Sequence, residues 1–175
     1  MNNMRQATLC FLIRPRSRAS SLRGKENQED GEILLAFKKR GFGKGKWNGI
    51  GGKLDLEKDG DIYETAKREL KEEIGVNANE LEKVAILSFY FPYQSEWNQN
   101  VHVFFAKEWK GEPKETDEMK PKWFKINEIP FNEMWSDDKF WLPKVLAGEK
   151  VKANFVFKEG EIISSHAIKI VNDFN

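Results

Sequence analysis

The segment RELKEEIGV, residues 68–76, places Glu69, Glu72 and Glu73 on one flank of a helix. Residues three and four apart on a helix are neighbours, and like charges at that spacing repel. Two readings follow. One is a solvated charged face, with Arg68 placed to pair with Glu64 or Glu72. The other is a divalent-cation site, where hard oxygen ligands gather around the ion. Carboxylates at i and i+4 on a rigid helix place two ligands with little freedom left to lose, so Glu69 and Glu73 lead and Glu72 stands close by. Just upstream, GFGKGKWNGIGGKLD (41–55) is studded with glycine and reads as an irregular loop that brings backbone close to something. Downstream, WSDDKFW sets Asp137 beside Asp138. Taken alone, that stretch reads as a helix N-terminus, since Ser and Asp are favoured caps and acids suit the helix dipole there.

These residues need a scaffold. Asp61 is a plausible N-cap with Glu64 in capping-box position, Ile62, Ala66, Leu70 and Ile74 supply much of an apolar stripe, and Gly75 is a stop. A helix from about Ile62 to Ile74 therefore carries the glutamates in its last two turns, on a flank away from Leu70 and Ile74. Strands are expected at 7–14 and 32–40, which should pair as a hairpin, and at 83–91, 101–109 and 120–126. A second helix is expected at 141–148 and a closing hairpin over 151–171, turning near residues 158–160. PRSRASSLRGKENQEDG (15–31) reads as a long flexible loop. Trp123 and Phe124 read as strand residues, at least one of them core. His102 lies between two valines of a strand and reads as structural, and His166 has no evident partner. The pattern is a mixed sheet with two helices, an α+β or α/β sandwich, with no repeat and no interdomain linker.

A length of 175 residues fits one domain with a real core. The balance of 29 Lys+Arg against 28 Asp+Glu argues against a general polyanion binder. Cys10 is the one cysteine, so no disulfide can form within the chain and a reducing, cytoplasmic compartment is expected. No apolar run approaches the roughly 18 residues that span a bilayer. Arg5, Arg14, Arg16, Arg18 and Arg23 all precede the first acidic residue, Glu26, a composition like that of a transit peptide. ATLCFLIR (7–14), however, reads better as a buried strand than as a presequence.

The window GGKLDLEKDGDIYETAKRELKEEIGV resembles the signature box of the Nudix hydrolases. The family pattern ends in Arg-Glu-apolar-x-Glu-Glu-x-Gly-apolar, which Arg68, Glu69, Leu70, Glu72, Glu73, Gly75 and Val76 match throughout. The front of the box departs. Gly60 stands where the pattern has Glu, and the loop from Gly52 is two residues too long, with Glu57 or Asp61 as candidate replacements. The resemblance implies a Nudix fold: an α/β/α sandwich, mixed central sheet with flanking helices, in a single domain over residues 1–175. It also implies Mg²⁺ as cofactor, with Mn²⁺ as a substitute. The metal set would be Glu69, Glu72 and Glu73, the Gly52 carbonyl, and Glu118 from outside the box, while Arg68 orients a glutamate.

KKRGFGKGKWNGIGGK, DEMKPKWF and IPFNEMWSDDKFW resemble the branch of the family that cleaves oxidised purine nucleoside triphosphates. On that resemblance Asn48 would meet a purine edge, since its amide both donates and accepts. Asp137 and Asp138 would face the ring N–H and amino groups, sharing one proton because close carboxylates cannot easily both ionise. Trp135 and Phe89 would stack on the base and Phe42 would wall the pocket. Thr8 would lie near the base and Lys38 near the phosphates. Trp141 is expected to support the pocket from the core. The segment 92–100 is one residue longer than in that branch, which places Gln99 where a pocket methionine is expected, with Trp97 close by.

The expected activity is hydrolysis of 8-oxo-dGTP and 2-hydroxy-dATP to the monophosphate and pyrophosphate, sanitising the nucleotide pool. The expected partner is a small-molecule nucleotide rather than a nucleic-acid polymer or a membrane, and the chain is expected to be a monomer. The alternatives are a Nudix enzyme for another nucleotide and a Nudix domain that binds without catalysis. An isoprenyl diphosphate isomerase is a further alternative, but it would need a cysteine in the pocket, and Cys10 reads as core.

Overall fold

The computed structural model describes residues 4–15, 31–159 and 161–174. The loop expected at 15–31 lies almost wholly outside the described residues. Strand β1 (Arg5–Arg14) is buried on both faces through Cys10, Phe11, Leu12 and Ile13, as its unbroken apolar run requires. That burial makes it a central strand. It runs parallel to β5 (Gln99–Ala106), with Thr8 opposite His102, and only its last residues pair with β2 (Glu32–Lys38), at Ile13–Ile33 and Arg14–Glu32. The expected β1–β2 hairpin is thus reduced to a short contact. An apolar strand signals burial but not which neighbour provides it.

Strand β2 pairs along its whole length with β6 (Met119–Lys125), and also with β3 (Trp47–Asn48) inside the glycine-rich loop. Beyond β5 the sheet continues through β4 (Glu82–Tyr90), antiparallel to β5, then β7 (Lys150–Lys158), parallel to β4, and β8 (Ile162–Val171), antiparallel to β7.

Helix α1 (Ile62–Ile74) keeps the expected bounds. Asp61 caps it by accepting from the Tyr63 and Glu64 amides, and Gly75 ends it at φ 75°. Ala66, Leu70 and Ile74 bury against Cys10, Leu12, Leu34 and Phe104 on one face of the sheet. Helix α2 (Asp138–Leu146) covers the other face, where Trp141 and Leu142 join Phe11, Leu87, Phe155 and Phe157. It starts three residues before the expected Trp141. Pro143 sits inside it and forgoes one backbone donor. His166, expected to lack a partner, packs its ring against Phe140 and Phe155, with centroids 4.5 and 5.8 Å apart. Among the described residues, no helix is long and apolar enough to cross a membrane.

Candidate active site

The glutamates of α1 differ sharply in surroundings. The Glu73 side chain is 9% exposed, and Glu72 is 59% exposed. Glu73 accepts from the Gly51 amide at 3.3 Å and has Lys38 Nζ at 3.6 Å. Burial pushes the Glu73 carboxyl up to about 7, against the pull of the Lys38 charge. Burial also raises Glu69, partly offset by Arg68. The glycine loop comes this close because it has no side chains. A Cβ on Gly51 would collide with the Thr8 carbonyl oxygen, and one on Gly52 with the Glu69 carboxylate. The loop is held to β1 by Thr8 N–H donating to the Gly52 carbonyl at 2.8 Å, while the Thr8 hydroxyl lies 3.3 Å from the Gly52 nitrogen. Thr8 therefore lines the cavity with its polar groups turned toward the box.

Arg68 organises the box. Its Nη1 donates to Glu69 at 2.8 Å and to Glu72 at 3.0 Å. Its Nε and Nη2 grip Asp59 through both carboxylate oxygens, at 2.8 and 2.9 Å. Asp59 also accepts from the Thr65 hydroxyl at 2.8 Å, and the Arg68 contact holds its carboxyl far below the usual range. Neither expected replacement fills this place. Asp61 caps α1, and Glu57 is exposed. The two extra residues form a helical turn, in which the Lys58 and Asp59 amides both donate to the Asp55 carbonyl, and that turn swings Asp59 under Thr65. The available signal was a carboxylate one residue before Gly60, hidden because the insertion breaks the count.

Outside the box, Glu118 pairs with Arg40 at 2.7 Å and lies 3.9 Å from Lys38 Nζ, with Arg40 holding its carboxyl below the usual range. Among the described residues, no three His, Cys, Asp or Glu side chains already form a cation cage. Side-chain cations stand there instead: Arg68 between Glu69 and Glu72, Lys38 against Glu73.

A cavity of about 480 Å³ runs from this carboxylate end into the molecule. Its walls bring together Thr8, Lys38, Phe42, Asn48, Phe89, Trp135, Asp137 and Asp138, with Glu118 at its edge. Phe42 stacks on Trp135 with centroids 5.1 Å apart and meets Trp97 edge-on at 5.7 Å. Phe89 stacks on Phe155 at 5.7 Å. Gln99 lines the cavity, while Trp97 reaches it through Phe42. The Asn48 side-chain oxygen accepts from the Gly49 amide at 2.8 Å, which leaves its amide nitrogen as the group that can donate. Asp137 occupies the N-cap position of α2 without capping it. Its carboxylate instead accepts from Trp141 Nε1 at 3.0 Å, and Asp138 accepts from the Trp135 amide at 3.1 Å. Burial pushes both carboxyls up, and the Asp137 charge pushes Asp138 further. Trp141 is fully buried beneath them, as expected of a supporting residue. Cys10 is buried under α1, its thiol facing the Ala66 carbonyl, away from the cavity chemistry. His102 contacts the Gln6 amide oxygen at 2.8 Å, and burial pushes it down to about 4, so it is neutral at physiological pH.

The NUDIX domain family matches residues 22–145. The chain belongs to the Nudix family. Within it, the chain is 42% identical over 145 residues to the oxidized purine nucleoside triphosphate hydrolase of Danio rerio, covering 83% of this chain and 91% of that protein. The Mus musculus protein of the same name is 42% identical over 142 residues, covering 81% and 89%. Among solved structures, the mutator MutT protein from Bacillus halodurans matches with a TM-score of 0.74 at 25% identity, covering 94% of this chain and 97% of that one. The expected Nudix sandwich is therefore the fold.

Proposed function

We propose that the chain hydrolyses oxidised purine nucleoside triphosphates, such as 8-oxo-dGTP and 2-hydroxy-dATP, to the monophosphate and pyrophosphate. The observation that carries this reading is the buried Asp137–Asp138 pair in an aromatic-walled cavity that also reaches Lys38, Glu118 and the Gly51–Gly52 backbone, against which Glu73 and Glu69 lie. A pair that keeps a proton presents both a donor and an acceptor, which suits the O6, N1–H and amino pattern of a guanine and, with the proton moved, that of a hydroxylated adenine. Asn48 donates to the far edge of the base, Trp135 and Phe89 stack on its faces, and Phe42 closes the mouth. The names of the Danio rerio and Mus musculus relatives support the same substrate class.

Lys38, between Glu73 and Glu118, is placed to meet the phosphates. The box residues fit a divalent cation: acids whose burial favours the protonated form can exchange that proton, released to solvent, for an ion whose charge offsets the desolvation. Mg²⁺, with Mn²⁺ as a substitute, would be held by Glu69 and Glu73, with Glu72, Glu118 and the Gly52 carbonyl as further oxygen donors. When bound it supplies positive charge that polarises the phosphoryl oxygens and acidifies water. Arg68, anchored by Asp59, orients Glu69 and Glu72. Proton acceptance from the attacking water falls to Glu72 or Glu118. Arg40 favours the ionised form of Glu118, which weakens it as a base. We read the chain as a single domain acting as a cytoplasmic monomer, with no nucleic-acid polymer or membrane as partner.

The test is pyrophosphate release from 8-oxo-dGTP, 2-hydroxy-dATP and dGTP at equal low concentration with Mg²⁺. Strong preference for the oxidised purines is expected. Equal slow release from all three would keep the hydrolysis and discard the base reading. Binding without release from any would mark a non-catalytic domain.

A further inference from the structure

The turn between β7 and β8 carries Glu161, the one non-glycine residue among those described with a positive φ, at 60°. That backbone region is disfavoured for a glutamate, so the surroundings must hold it there. Two contacts do. The Glu161 carboxylate lies 3.1 Å from Lys46 Nζ, and its carbonyl accepts from the Ser136 hydroxyl at 3.1 Å. Lys46 directly precedes β3, and Ser136 lies between Trp135 and Asp137. Three segments distant in sequence thus meet at one corner of the base cavity. There Lys46 Nζ stands 5.2 Å from the centroid of the Trp135 ring. A lysine has a long flexible stem, and a cation over an indole is held only weakly unless something fixes it.

We propose that Glu161 is a positioning residue for base recognition: it holds Lys46 over the Trp135 ring and against the aspartate pair, and through Lys46 tunes which purines the cavity accepts. The proposal rests on Asp137 and Asp138 being the purine-reading pair, yet the contact it invokes is measurable without substrate. The groups facing Asp138 are Asp137 on its own helix, Lys46 from the turn before β3, and the N–H donors of Trp135 and Trp141. Glu161 reaches the pair through Lys46, while Lys38, Arg40 and Glu118 line the same cavity at its box end. Lys46 favours the ionised form of Asp138. A wandering Lys46 would leave the pair protonated to higher pH and bias it toward donating.

The decisive experiment is a carbon-13 carboxyl titration of Asp137 and Asp138 in the wild-type protein, Glu161→Gln, Lys46→Met and the double variant. It is paired with the pH dependence of KM for 8-oxo-dGTP and dGTP. Glu161→Gln keeps the backbone bond to Ser136, and Glu161→Gly, which also relieves the left-handed backbone, serves as a second variant. Lys46→Met should raise the titration of the pair by on the order of half a pH unit. Glu161→Gln and Glu161→Gly should move it the same way, the double variant should add nothing to Lys46→Met, and the KM profile for 8-oxo-dGTP should shift in step. No shift, or a downward shift from simple loss of the Glu161 charge, overturns the proposal whatever the activity. A shift as expected in a protein with no preference for oxidised purines leaves the contact standing and overturns the substrate reading instead.

Discussion

Replacing Asp59 by Asn tests whether this residue supplies the support that the front of the box lacks. Asp59 is almost fully buried, and both of its oxygens face the Arg68 guanidinium at 2.8 and 2.9 Å. An amide in its place turns an N–H₂ toward a cation and leaves Arg68 with Glu69, Glu72 and the Lys53 carbonyl. Breaking a buried pair on one side costs about 3–5 kcal/mol. The Arg68 side chain is 20% exposed, so the lower end applies. In a chain of this size about 3 kcal/mol lowers Tm by about 6–12 °C. The pH dependence has a definite sign. The folded-state carboxyl lies far below its unfolded value, so the pair's stabilisation is full above the ordinary carboxylate range and is lost progressively as pH falls below that range toward the depressed folded-state value. Wild type and Asp59→Asn should therefore converge in stability in acid. Turnover should fall as well, because an Arg68 without its Asp59 anchor holds Glu69 less firmly. Urea denaturation at several pH values, beside pyrophosphate release, measures both effects, with Glu57→Gln as the control expected to change neither. Unaltered stability and rate in Asp59→Asn, or losses in Glu57→Gln instead, would refute the reasoning.

Three further outcomes are expected. Glu73→Gln should abolish nearly all turnover yet, without divalent cation, fold at least as stably as wild type at pH 8. Burial raises this carboxyl to about 7, so metal-free wild type should lose up to about 3 kcal/mol as pH climbs from the carboxylate range to that value, and the variant should show no such slope. A fully active folded variant would sink the assignment. Gly51→Ala should fail to support turnover, since its new methyl meets the Thr8 backbone rather than a movable side chain; wild-type rates would contradict the close approach. Asp138→Asn should raise KM for 8-oxo-dGTP by at least about tenfold, on the scale of a lost charged hydrogen bond. It should also stabilise the substrate-free protein at neutral pH by removing a buried acid, as differential scanning calorimetry would show.

Helix α1 was legible to the residue because its signals are local: Asp61 to cap, Leu70 and Ile74 to bury, Gly75 to stop. The box glutamates came with it, since spacing on a helix is geometry. What escaped the sequence was relational. The run LCFLI in β1 declared burial on both faces without naming β5 as the partner. Asp59 was hidden because an insertion changes the count between Gly52 and Arg68 while the fold restores the contact. Asp137 looked like a cap, and only the placement of Trp141 beneath it shows where its carboxylate goes. The corner formed by Lys46, Ser136 and Glu161 joins three separate segments, beyond any local pattern.

Strand β1 has one further consequence. Its even residues, Cys10 and Leu12, face α1, and its odd residues, Ala7 and Phe11, face the side that α2 covers. The box carboxylates hang from one side of this partition, and Asp137 and Asp138, which we propose read the base, from the other. Substitutions around α2 can therefore retarget the molecule to another nucleotide while the carboxylate end stays as it is, and changes in α1 can alter the rate while leaving the choice of base untouched. On the proposed reading, a protein built this way could acquire a new substrate in small steps, because the two faces of β1 can change separately.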